Sequence, residues 1–238
     1  MFTRLRKWWQ RRQASQRAAQ KRVEERQLTI WDGPVDADRV LAFSDAVIAI
    51  AITLLTLDLR LPDGLSGKAF SDGLRGLLPA LGTYALSFFV LAQLWLAHHR
   101  IFGVIDQVNR AILVRNLLFL GLIAIMPFPV SLLSEYHDRP LAVAIYAVTF
   151  ILAMENQRRL WRYLTRPEQQ HLLREPVSKE ARDGFNATLL GMVLVFGAVL
   201  PVAMFAPRYA AIAWAAMVPA RILLARFHPL STFARLYR

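Results

Sequence analysis

The residues with the most chemical potential are Ser44 and Asp45, set inside a long apolar run from Arg39 to Leu59, RVLAFSDAVIAIAITLLTLDL. Between Val40 and Leu57 Asp45 is the sole ionisable side chain. A carboxylate at the centre of a membrane-crossing helix costs roughly 2.5–3.5 kcal/mol, and less near an end, so Asp45 should face protein or water rather than lipid. Four later residues can satisfy it: Trp95 through its indole N–H, His98 and His99 through their rings, and Asn116 through its amide. The doublet His98-His99 with Arg100, Asp106 and His137 also invites a metal or acid–base reading. Adjacent histidines point in different directions on a helix, and no H-E-x-x-H, nucleophile elbow or phosphate loop occurs. Neither a catalytic residue nor a metal site is expected.

The element that must position Asp45 is a helix. About twenty residues at a 1.5 Å rise cross a ~30 Å hydrocarbon core. At about 100° per residue Ile50, Leu54 and Leu57 fall on one ridge, which Val47 and Phe43 extend, while Asp45 lies about 140° from Ile50. Arg39 is about 120° and ~9 Å away from the acid, so the partner of Asp45 should come from another helix. An aliphatic stripe of this kind serves packing or lipid contact as readily as a pore. Thr53, about 60° from Ile50, can add a hydroxyl to the ridge or bond its own preceding turn.

The remaining chain supplies the neighbours. Of 238 residues 55% are hydrophobic and 19% charged, which places most of the protein in lipid. Absence of cysteine excludes disulfides and thiolate metal sites. Apolar runs follow at about Leu77–Leu96, Ile112–Leu133 with a break at Pro127-Phe-Pro129, Pro140–Met154, Ala187–Phe205 and Ala210–Phe227. The fourth is short and borrows from Glu155 to Leu164, and a charged linker is expected from Arg158 to Asp183. The fold class is therefore an all-α integral membrane protein with six transmembrane helices in a single copy.

The formal charge of +12 is concentrated in the first thirty residues and a few loops, with no aromatic platform, so topology explains it better than nucleic acid. His98 to Arg115, Arg158 to Arg182 and Arg226 to Arg238 share one side with the N-terminus, while the opposite loops are nearly balanced, as at Glu135, Asp138 and Arg139. Both termini are then cytoplasmic. Residues 1–34 form a basic segment without a signal-peptide pattern, suited to a helix on anionic lipid or to a solvated tail. Residues 35–228 form the membrane domain and 229–238 a short basic tail.

Arg39-Val-Leu-Ala-Phe43-Ser44-Asp45 fits R-x-x-x-F-S-D at the start of the first span. It resembles the signature of the potassium channels related to transmembrane protein 175, in their short prokaryotic form. The resemblance implies a homotetramer in the plasma membrane of a prokaryote whose first helices line a K⁺ pore, with Ile50 at the narrowest ring and Leu54 and Leu57 as further layers. It also groups Trp95, His98 and Asn116 with the motif, and at Asn109 it departs from relatives that often carry an acid. No cofactor is implied beyond the permeant ion. A proton or weakly selective cation pathway would use the same helices, and a secondary transporter would need the matching broken halves that this sequence lacks.

Overall fold

The computed structural model describes residues 35–210 together with 213, 214 and 216. The chain divides into two units after Val35; Val35 alone is described in the first, and the second, from Asp36 onward, holds every described helix. The expectations for residues 1–34, for the tail 229–238 and for most of a sixth span lie outside the described residues.

Helix α1 spans Ala37–Leu54 and tightens into a 3₁₀ turn over Leu55–Asp58. Asp36 caps it, its carboxylate accepting from the Asp38 amide at 2.9 Å. The Asp63-Gly64 turn comes next, with Gly64 at φ 76°, where a side chain would strain the backbone. Then come α2 (Gly67–Gly76), α3 (Leu78–Gly103), α4 (Arg110–Ile125), α5 (Pro127–Glu135), α6 (Pro140–Leu164) and α7 (Lys179–Phe205). Among the described residues five stretches are long and apolar enough to cross a membrane: Ala37–Leu57, Gly67–Gly103, Arg110–Glu135, Pro140–Leu164 and Lys179–Phe205. The break between α4 and α5 falls at Met126, just before Pro127, where the expected proline pair lies.

Three boundaries differ from the sequence reading, each for a packing reason. Helix α3 runs past the histidines to Gly103 because Ile101 and Phe102 are buried. Helix α6 is continuous to Leu164, since Gln157, Leu160, Trp161 and Leu164 recur at helical spacing on its inner face while Arg159 and Arg162 point outward. The charged linker therefore shrinks to residues 165–178, and α7 begins at Lys179, capped by the Ser178 hydroxyl accepting from the Ala181 amide at 3.2 Å. Helix α2, every residue of which is partly or fully exposed, is an addition that the sequence reading did not contain.

The core has two parts. One joins Ile48 and Ala51 of α1 and Leu55 of the 3₁₀ turn to Leu91 and Leu94 of α3, Phe119 and Ile123 of α4, and the inner faces of α5, α6 and α7. Within it Tyr146, Phe150, Phe196 and Trp214 stack with ring centroids 4.7 to 6.4 Å apart, and the Tyr146 hydroxyl meets Ser87 at 3.1 Å. The other gathers Val40, Ile101, Phe102, Ile112, Trp161, Leu164 and Phe185 at the end where α1, α4 and α7 start. Arg174 fastens that end, donating to Asp38 at 2.7 Å and to the Ile105 carbonyl at 3.0 Å.

Phe150→Ala opens a cavity in the aromatic cluster and should lower stability by about 3–5 kcal/mol. Leu141→Ala, at an exposed position, should cost less than about 0.5 kcal/mol. Thermal unfolding in detergent compares them, and equal losses would contradict the assigned core.

Candidate functional site

On α1 the buried positions Ala37, Val40, Ser44, Ile48 and Ala51 form one face. Ser44 is the polar member of that face, and the structure gives it a directional chain of partners. Its hydroxyl donates to the Val40 carbonyl at 2.7 Å, as helix-buried serines do. The Asn116 amide of α4 donates to the Ser44 oxygen at 2.9 Å. The Asn116 oxygen meets His98 Nε2 of α3 at 2.8 Å. A carboxamide oxygen only accepts, so this bond requires the His98 proton on Nε2. Each donor has one acceptor, and three helices are joined by a single line of hydrogen bonds. The His98 ring, itself fully buried, stacks between Phe102 at 4.4 Å and Phe119 at 5.1 Å, which fixes its plane.

Asp45 does not join this chain. Its Oδ1 accepts from Trp95 Nε1 at 2.8 Å at the edge of the α1–α3 contact, and the carboxylate is half-buried. Of the four partners expected for the acid, Trp95 alone is its hydrogen-bond partner among the described contacts. His98 and Asn116 bind Ser44 instead, because Ser44 and not Asp45 lies on the inward face. His99 packs near Trp95, with centroids 5.5 Å apart. Phe43 is 57% exposed and stays outside the network, and Arg39 is exposed without an ion pair among the described residues. Asn109, the departure noted in the sequence, caps α4 by accepting from the Ile112 amide at 3.0 Å and donates to the Tyr163 hydroxyl at 3.0 Å.

The opposite face of α1 is bare. Ile50 is 60% exposed, Leu57 49% and Leu54 39%. Val47 leaves the ridge, being partly buried against the core. Thr53 donates its hydroxyl to the Ile50 carbonyl at 2.8 Å, so only its oxygen lone pairs remain for anything facing it. The chain thus presents a strip of large aliphatic side chains on the helix whose other face carries Ser44 and its partners.

The comparisons with known proteins bear on this arrangement. A family model described as endosomal/lysosomal potassium channel TMEM175 matches residues 39–127, a range that holds Ser44, Asp45, Trp95, His98 and Asn116. A relative from Streptomyces collinus, named Potassium channel B446_29190, is 36% identical over 172 residues, which cover 68% of this chain and 82% of the relative. The chain belongs to the TMEM175 family. A TMEM175 member from Homo sapiens, named an endosomal/lysosomal proton channel, is 26% identical over 160 residues, 66% of this chain and 31% of that protein. The fold is similar to that in the crystal structure of a lysosomal potassium-selective channel TMEM175 homolog from Chamaesiphon minutus, with TM-score 0.67 at 24% identity over 79% of this chain and 97% of that one. With its apolar helices, this TMEM175 chain is an integral membrane protein.

Sequence reasoning missed the clustering of arginines from α4 and α6 at one end of the bundle. The signal was present as Arg159, Arg162 and Arg166 at helical spacing, and the charges were used for topology alone.

Asn116→Leu removes the acceptor of His98 and the donor to Ser44, leaving buried groups unpaired at about 1–3 kcal/mol each. Trp95→Phe removes one half-exposed bond and should cost about 1 kcal/mol or less. Unfolding temperatures in detergent measure both, and a larger loss for Trp95→Phe would make the Asp45 contact the principal tie.

Proposed function

We propose that this chain is the subunit of a tetrameric K⁺-selective channel in a prokaryotic plasma membrane, with both termini cytoplasmic and the pore lined by α1. Ile50 forms the narrowest ring, Leu54 and Leu57 add layers along the same face, and Thr53 flanks them. The observation that carries this reading is the bare aliphatic face of α1, 60% exposed at Ile50, opposite the face locked by Ser44. A pore helix must be held from behind and uncovered in front, and α1 meets both conditions. The name potassium channel borne by the bacterial relative supports the ion, and the loop charges support the orientation.

A ring of isoleucines works by dehydration. An ion entering it sheds water where no carbonyl replaces the lost ligands, so small changes in width or wetting change both conductance and discrimination. K⁺ holds its water less tightly than Na⁺, which favours it in such a constriction. No cofactor takes part, and the permeant ion is the only ligand required.

The animal relatives named as proton channels favour a second reading, in which protons use the same route. Reversal potentials in opposed K⁺ and pH gradients separate the two, since a K⁺ pathway follows the K⁺ gradient.

Ile50→Asn places a hydrogen-bonding group at the ring and should raise Na⁺ permeability relative to K⁺ severalfold in bilayer recordings. Unchanged conductance and unchanged selectivity would remove Ile50 from the constriction.

A further inference from the structure

A cavity of about 810 Å³ opens between α4 and α6, at the end of the bundle where α4 starts and α6 finishes. It falls within the ~300–1,000 Å³ range of small-ligand pockets. Arg110, Arg115, Arg159, Arg162 and Arg166 line it. Glu155 pairs with Arg158 at 2.6 Å and with Arg159 at 2.9 Å, one carboxylate shared between two guanidinium groups. Among the described residues the other four arginines of the cavity have no ion pair.

One of the four is positioned rather than merely present. Arg115 donates to the Ala111 carbonyl at 3.0 Å, and its guanidinium carbon lies 4.6 Å from the centre of the Tyr163 ring. Tyr163 is held in turn by Asn109, and the Arg115 carbonyl accepts from Asn156 at 2.9 Å. This scaffold orders a cation whose charge nothing in the described chain offsets. Four guanidinium groups around one cavity repel each other, and an anion with several oxygens relieves that repulsion through paired N–H donors.

The apolar part of the lining states what else the ligand carries. Val114 and Leu118 line the cavity one and two turns up α4, and both are exposed on a membrane-spanning helix, as is Leu117. A basic floor continuing into an apolar outward face matches a molecule with a phosphate head and acyl chains. We propose that this pocket binds the phosphate groups of an anionic membrane lipid, and that four unpaired arginines suit a head bearing two phosphates. The lipid site is independent of the pore reading, since its test measures no current.

The experiment uses the full chain purified in detergent and titrated with tetraoleoyl cardiolipin, with phosphatidylcholine as the neutral lipid and inorganic pyrophosphate as the soluble phosphate. Bound lipid is counted by native mass spectrometry, and thermal stabilisation is followed in parallel. Cardiolipin should bind and stabilise the wild type, and Arg162→Gln with Arg166→Gln should weaken its binding about tenfold or more. Both residues are exposed, so the double variant is expected to fold. Arg139→Gln, in the loop that joins α5 to α6, should bind as the wild type does. Equal cardiolipin affinity in the wild type and the double variant would overturn the site. Pyrophosphate binding that matches cardiolipin and displaces it would overturn the lipid as the source of the phosphate.

Discussion

In a bundle with few polar side chains, an unpaired hydrogen-bonding group is among the costliest features, and the Ser44–Asn116–His98 line is where this chain meets that constraint. The three residues come from α1, α4 and α3, so their shared hydrogen bonds fix the rotation of three helices together. Apolar packing alone tolerates a helix turned by a fraction of a turn, because aliphatic contacts are not directional. Hydrogen bonds of 2.8 and 2.9 Å do not. Once Ser44 must face Asn116, Ile50, about 120° round the helix, turns away from the bundle. The identity of the bare face is thus a consequence of the buried one.

The same logic separates the roles of the two adjacent polar residues. Ser44 points into the three-helix junction, while Asp45, one residue or about 100° on, reaches only the edge and finds the Trp95 indole. A carboxylate at the edge, bonded to the Trp95 indole, avoids the several kcal/mol that full burial of a lone carboxylate exacts. The neutral amide and hydroxyl carry the interior contact, where they are cheaper to desolvate. At the end of the bundle where α4 starts, Arg174 ties Asp38 and Glu155 ties two arginines, leaving a surplus of cations beside α4 and α6.

Much of this was legible in the sequence. The first span, its ridge and the proline break after Met126 follow from periodicity and from the lost amide of Pro127. That Asp45 needs a partner from another helix was also legible. Which residue of the pair faces inward was not, since 100° decides it and the packing of α3 and α4 sets the zero of rotation. From Arg158 onward the stretch that the short fourth span borrows also read as linker, because charge masked the spacing of Gln157, Leu160, Trp161 and Leu164, whose burial depends on α7 lying against them. The arginine cavity needs two helices distant in sequence to approach, a tertiary fact that spacing within either one does not carry.

The absence of cysteine from the chain makes one measurement unusually clean. Ile50→Cys places the sole thiol on the bare face of α1, where a membrane-impermeant, water-soluble methanethiosulfonate reagent can be added during K⁺ flux from reconstituted vesicles. The expected result is modification that blocks flux, with the unsubstituted chain unaffected. A thiol that reacts only with lipid-soluble reagents, with flux undisturbed, would put the aliphatic face against lipid and contradict the pore.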